Sequence, residues 1–337
     1  MLSKQESGIL KGSAILIMLF LHLFNQTNGG DLYTDFFQFR GEPLVFQLSK
    51  FAGICVPLYL FLSGYGIYIA YLRVERMQNW KRVLSLYVNF GIVFAIFISL
   101  ASLLKPEIYP GGIVEFISNV TGWHTSYNGE WWFLFPYMLL VLSSPKIMYI
   151  INRKHYGLIF LLLGAVYLFS FSIIKMNASY LYTNQFAYMP ILYLNLLFSF
   201  GMGAIFAKED WFGKFKESIV NLKYKNMYLI IGILLLIGIR ILLPVSVFNP
   251  LFAFAFLLLF ASLERGKWLD YFLSKMGQQS TNMWLIHTFF CYYLFRDFIY
   301  GFKYPVLIYI VLLAVSYLSA CLIDLINKPI QKIIKRI

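Results

Sequence analysis

The sequence predicts an all-α protein: a polytopic transmembrane helical bundle of about ten spans, with both termini cytoplasmic. Three observations carry this. Of 337 residues, 60% are hydrophobic and only 13% charged, about half the charged share of a soluble domain, so no single water-facing fold hides the apolar surface. Apolar stretches near the length a helix needs to cross about 30 Å of hydrocarbon recur along the whole chain. The basic residues gather on one side of those stretches. A soluble α/β enzyme is excluded by the same composition.

Ten stretches qualify as spans, at roughly 9–27, 52–72, 83–104, 131–151, 156–174, 189–207, 227–245, 250–264, 280–299 and 305–326, the eighth being short. The first follows Lys4 and Lys11, and only LFNQTN comes after it, without a small-x-small cleavage site. It is expected to stay as a span rather than leave as a signal peptide. In the second, Ser63, Gly64 and Gly66 are small enough to let helix backbones approach in lipid. Arg73, Arg76, Lys81 and Arg82 then cluster at its end. The fourth opens with YNGEWWFLFPY, where Trp131, Trp132 and Tyr137 suit an interfacial aromatic belt. Asn128 and Glu130 add an amide and a carboxylate at that mouth, and such a set also suits sugar rings. WLDYFLSKM (268–276) reads as a short interfacial helix before the ninth span, in which His287 stands about two turns deep. The outer segments 28–51 and 105–130 are long enough to form a lid. No repeat, low-complexity tract or appended soluble domain interrupts a single domain over 1–337. Cys55, Cys291 and Cys321 lie in or beside apolar runs at no metal-ligand spacing, as packing residues do.

Orientation follows from charge. The N-terminus, 73–82, 146–155, 208–226, 264–279 and the C-terminal tail hold 21 of the 28 lysines and arginines, and with them the whole net charge of +13. Basic loops stay inside, and an even number of spans returns both termini to that side. A basic inner face against anionic lipid accounts for the charge without nucleic acid.

The first span joins two unusual groups. Lys11 and His22 are eleven residues apart, about 20° from a whole number of turns, so they share one helix face about 16 Å apart along the axis. An ionisable group inside a span is costly unless it faces a cavity or a partner. A cation at the inner mouth can hold an anion, and a deeper imidazole can act on whatever that anion carries. The same spacing also fits an ordinary basic flank and a hydrogen-bonded packing histidine. His287 fits equally a cavity-lining group or a helix–helix hydrogen bond. Serine-hydrolase, zinc-protease and nucleotide-binding motifs are absent from the sequence.

Four pieces, in order, resemble the acyltransferase-3 family of integral-membrane carbohydrate O-acyltransferases. They are Lys11-Gly-Ser-Ala-Ile with His22 eleven residues on, PLYLFLSGYGI (57–67), EWWFLFPYMLL (130–140) and MGQQSTNMWLIHTFF (276–290). The family usually has arginine at the position of Lys11; lysine keeps the charge and loses the planar fork. KRVLSLYV (81–88) has Ser85 and Val88 where the family often continues with arginine and proline, and the hydrolase-like extra domain of some members is missing.

The resemblance implies an acyl-CoA-dependent enzyme of the cytoplasmic membrane, bacterial in source. It would move an acyl group, acetyl foremost, from acetyl-CoA as co-substrate to a hydroxyl of an envelope or secreted polysaccharide. Lys11, Arg73, Arg76, Lys81 and Arg82 would hold the donor phosphates by charge-assisted hydrogen bonds. His22, with Glu130 and His287, would carry the chemistry, either as general base or as an acylated relay. Asn128, Trp131 and Trp132, with Ser63 and Tyr65, would hold the acceptor. Membrane lipid, acyl-CoA and a carbohydrate are the expected partners, no metal is expected, and the oligomeric state stays open. Two competitors remain: a glycan or lipid-linked-sugar transporter, which predicts inverted repeats and discontinuous spans, and a scaffold whose histidines are helix glue.

Overall fold

In hydrocarbon every backbone N–H and C=O must be satisfied within the protein, which favours helices. The computed structural model describes residues 1–26, 32–74 and 77–336, which are mostly helical with one small hairpin among them. Arg76, expected among the donor-binding residues, lies outside them. The chain runs α1 (Lys4–Phe24), the hairpin β1 (Gln38–Phe39) and β2 (Glu42–Pro43), α2 (Leu44–Ala52), α3 (Cys55–Tyr71) and α4 (Asn79–Leu104). Next come α5 (Ile113–Val120), α6 (Leu134–Arg153), α7 (Tyr156–Met176), α8 (Ala178–Thr183) and α9 (Gln185–Glu209). The last are α10 (Trp211–Ile219), α11 (Lys225–Leu242), α12 (Asn249–Ser262), α13 (Lys267–Thr288), α14 (Arg296–Tyr300) and α15 (Pro305–Arg336).

Among the described residues, eight segments are long and apolar enough to cross a membrane: α1, α2 with α3, α4, Gly129–Arg153, α7, α9, α11 and most of α15. The two remaining expected spans differ in kind. α12 has 14 residues, short of a full crossing. α13 has the length but carries Gln278, Gln279, Ser280, Thr281 and Asn282 in succession, too polar a face for lipid.

The expected separate interfacial helix at 268–276 does not form. It is the first part of α13, which runs unbroken to Thr288. Gly277 does not break it, because its bare backbone is pressed against α1: a Cβ there would stand 2.0 Å from the Gly8 carbonyl oxygen. α3 and α9 pack the same way, with a Cβ at Gly64 falling 1.8 Å from the Phe200 oxygen. Gly66 does not share this role, since a Cβ there meets nothing within 4 Å.

The polar stretch of α13 finds partners sideways, Gln279 donating to Asp324 at 3.2 Å and Asn282 to the Ala320 oxygen at 3.3 Å. Asn89 of α4 donates to Asn282 at 2.6 Å, Asn327 of α15 donates to Asn89 at 2.7 Å, and Gln331 donates to Asn327 at 2.9 Å. A polar helix surrounded by apolar ones is stabilised by amides that bond to its neighbours. α13 therefore sits inside the bundle, against α1, α4 and α15, and this places its histidine beside that of α1. Cys55 and Cys291 are buried and free.

Candidate active site

α1 starts on a capping box, in which Ser3 accepts from the Glu6 amide and Glu6 accepts from the Ser3 amide. This fixes the phase of the helix from its first turn. Ser7, Lys11, Met18 and His22 then fall on one stripe, and all four line a cavity of about 330 Å³. α3 contributes Val56, Tyr59, Ser63 and Gly66 at helical spacing, α4 contributes Arg82, and α13 contributes Ser280 and Trp284. Lys11 and Arg82 are close enough for their charges to act on one another. The cavity therefore reaches from a basic end at Lys11 and Arg82 to His22, about 16 Å along the α1 axis.

Glu130 and Trp132 line it beside His22. His22 Nε2 is 3.5 Å from Glu130 Oε2. The backbone that carries this carboxylate is fixed on both sides of the residue. Asn128 caps the 3₁₀ turn Gly129–Phe133, its Oδ1 accepting from the Glu130 amide at 3.1 Å. The Trp284 indole donates to the Glu130 carbonyl at 3.2 Å. Thr288 Oγ1 donates to the same Asn128 oxygen at 2.9 Å, which ties the turn to the end of α13.

The second histidine stands behind the first. His287 is fully buried, and its ring centroid is 4.9 Å from that of His22. Its Nδ1 lies 3.0 Å from the Met283 oxygen and 2.9 Å from the Trp284 oxygen. Both neighbours are acceptors, so Nδ1 carries the proton and Nε2 keeps its lone pair. That Nε2 has no partner among the described residues. On His22, the Tyr292 hydroxyl donates to the backbone oxygen at 2.5 Å and lies 3.4 Å from Nδ1. The Tyr292 hydroxyl thus touches both the backbone and the ring of His22, on the side of the ring away from Glu130. Nε2 faces Glu130 and the cavity.

Of the residues singled out from sequence, Lys11, His22, Ser63, Arg82, Glu130 and Trp132 meet in this cavity. Ser63 also hydrogen-bonds the Tyr137 hydroxyl at 2.8 Å. Others point elsewhere. Trp131 is fully buried, its indole donating to the Leu285 oxygen at 2.9 Å and its rings packed on Phe90, so it is a core residue rather than part of an exposed belt. Tyr65 is buried on the far side of α3, accepting from the Leu2 amide at 2.8 Å. Arg73 is exposed in the α3–α4 connection, and Lys81 lies over the Trp80 ring at 5.7 Å; neither lines the cavity. Asn128 is fully buried and supports Glu130 from behind. Tyr137, expected in an aromatic belt, lines the cavity instead; Tyr59, Trp284 and Tyr292 were missed, since single aromatics in an aromatic-rich span carry no signal of the face they take.

A family model described as an acyltransferase domain matches residues 6–325. No curated protein and no solved structure matches the chain.

Proposed function

The chain belongs to the acyltransferase-3 family and is a membrane acyltransferase, and from that premise we propose that it moves an acyl group, acetyl foremost, from cytoplasmic acyl-CoA to a hydroxyl of an envelope or secreted polysaccharide. The membrane is the cytoplasmic one of a bacterium, with both termini inside, as the basic segments favour. The observation that carries the reading is the single cavity touched by Lys11 and Arg82 at one end and by His22 and Glu130 at the other. Acyl-CoA is an anion with a long thin arm. Its phosphates suit the basic end, and its pantetheine reaches along the cavity to bring the thioester to His22.

In the step we assign, the lone pair of the acceptor hydroxyl attacks the thioester carbonyl while His22 Nε2 takes the hydroxyl proton. The imidazolium that forms lies beside the Glu130 carboxylate, which stabilises it. The tetrahedral centre then collapses, the carbon–sulfur bond breaks, and the thiolate leaves with the proton from His22 as free CoA. Ester and CoA are the products, and the imidazole is restored. A relay through an acylated His22 balances equally and differs only in order.

The test is acetyl-CoA added to membranes carrying the chain and its native polysaccharide. We expect free CoA and a base-labile acetyl increment on the polysaccharide, both absent from His22→Ala at equal folded amount. Normal transfer by that variant removes His22 from the mechanism. A transporter releases no CoA in either case. An acetyl-histidine trapped without acceptor selects the relay.

A further inference from the structure

The helix that carries His287 changes register directly after it. Phe289–Tyr293 is a π-helical turn, the Leu294 amide donating to the Phe289 oxygen at 2.8 Å. Such turns are rare and concentrate at functional sites. What this one accomplishes can be read from angles. In an α-helix, residues five apart stand about 140° apart around the axis. His287 and Tyr292 are five apart, yet both rings face His22, at centroid distances of 4.9 and 5.9 Å. The extra residue in the turn brings Tyr292 back to the face of His287.

Two consecutive tyrosines of this turn then reach His22 and the turn that carries Glu130. The Tyr292 hydroxyl donates to the His22 oxygen at 2.5 Å and is the partner of His22 Nδ1 at 3.4 Å. The Tyr293 hydroxyl accepts from the Gly129 amide at 2.8 Å, one residue before Glu130. The turn is itself anchored, because Lys105 at the end of α4 donates to the Tyr293 oxygen at 2.6 Å. Neither tyrosine lines the cavity, so neither is placed to touch a donor within it.

We propose that Tyr292 and Tyr293 are positioning residues for the transfer: the π turn holds His22 and the Glu130 turn in register, the Tyr292 hydroxyl binding the His22 carbonyl and the Tyr293 hydroxyl the Gly129 amide. This rests on the reading of His22 as the acting imidazole. A base must be correctly aimed, and a hydroxyl bound to its backbone and beside the opposite ring nitrogen restrains the ring. Packing alone would need the rings of the two tyrosines but not their hydroxyls.

Tyr292→Phe and Tyr293→Phe keep the rings and remove the hydroxyls. Each full-length variant is assayed in membranes with acetyl-CoA and the native polysaccharide, beside His22→Ala, with melting in detergent followed for all. Tyr292→Phe is expected to lower kcat by about 10- to 100-fold, the usual effect of losing an outer partner of a functional histidine. KM for acetyl-CoA stays within about twofold, because the donor end of the cavity is untouched. Tyr293→Phe falls in the same direction, and the double variant loses less than the product of the single effects, as residues acting as one unit do. Wild-type kcat in Tyr292→Phe overturns the proposal, as does a raised KM with kcat unchanged. If His22→Ala is inactive while Tyr292→Phe is normal, only the positioning role falls. If His22→Ala transfers normally, the reading beneath it falls as well.

Discussion

Gly66 offers the sharpest test of the passage between the basic end and His22. It lines the cavity, and a Cβ placed there meets nothing within 4 Å. Gly66→Leu puts four heavy atoms into that space. At roughly 30 Å³ each, the share of a water molecule in the liquid, they take up about 120 Å³, more than a third of the 330 Å³ cavity. The helix does not suffer, since leucine is a better helix former than glycine by somewhat under about 1 kcal/mol. We therefore expect a protein that melts like wild type yet releases CoA from acetyl-CoA at least about tenfold more slowly, as loss of near-attack geometry implies. Two residues away the outcome inverts. Gly64→Ala drives a Cβ to 1.8 Å from the Phe200 carbonyl oxygen, so α9 must retreat, at a cost of about 1–3 kcal/mol, and the melting temperature falls. A Gly66→Leu protein with unchanged rate and unchanged KM for acetyl-CoA would show that the donor does not use this cavity.

Other expectations follow from the same geometry. Glu130→Gln keeps shape and removes the charge 3.5 Å from His22, so kcat is expected to fall about 100-fold, within the range of general acid–base effects, with stability unchanged. Lys11→Ala and Arg82→Ala are each expected to raise KM for acetyl-CoA about tenfold, matching the loss of one charge-assisted hydrogen bond; Lys11→Arg restores it, and added salt narrows the difference from wild type. Trp131→Ala and Trp132→Ala separate core from site. The first empties a fully buried position and costs about 3–5 kcal/mol of stability, while the second spares the fold and weakens use of the acceptor.

Much of this was legible in the sequence because lipid imposes simple rules. A chain with so little charge has to place what it has, and the helical repeat alone set Lys11 and His22 on one face, where the cavity now joins them. The family resemblance likewise agrees with the match over residues 6–325. Hydropathy misjudged α13 because its polar residues find partners distant in sequence, Asn89, Asp324 and the Ala320 carbonyl. Adjacent tryptophans look alike in a string, whereas the 3₁₀ turn sends Trp131 into the core and leaves Glu130 and Trp132 on the cavity. The basic cluster after α3 read as one unit, but α4 begins at Asn79 and its first turn delivers only Arg82 to the cavity. The π turn left no trace in composition, since a shift from four to five residues per hydrogen bond depends on what each side chain meets.

The most direct measurement is sidedness. With the chain reconstituted in one orientation in sealed vesicles, acetyl-CoA is supplied to one face and the polysaccharide acceptor to the other. Transfer is expected only when acetyl-CoA is on the face bearing Lys11 and Arg82, and it should vanish in His22→Ala. Equal transfer with acetyl-CoA on either face, or transfer that persists without the imidazole, contradicts the account.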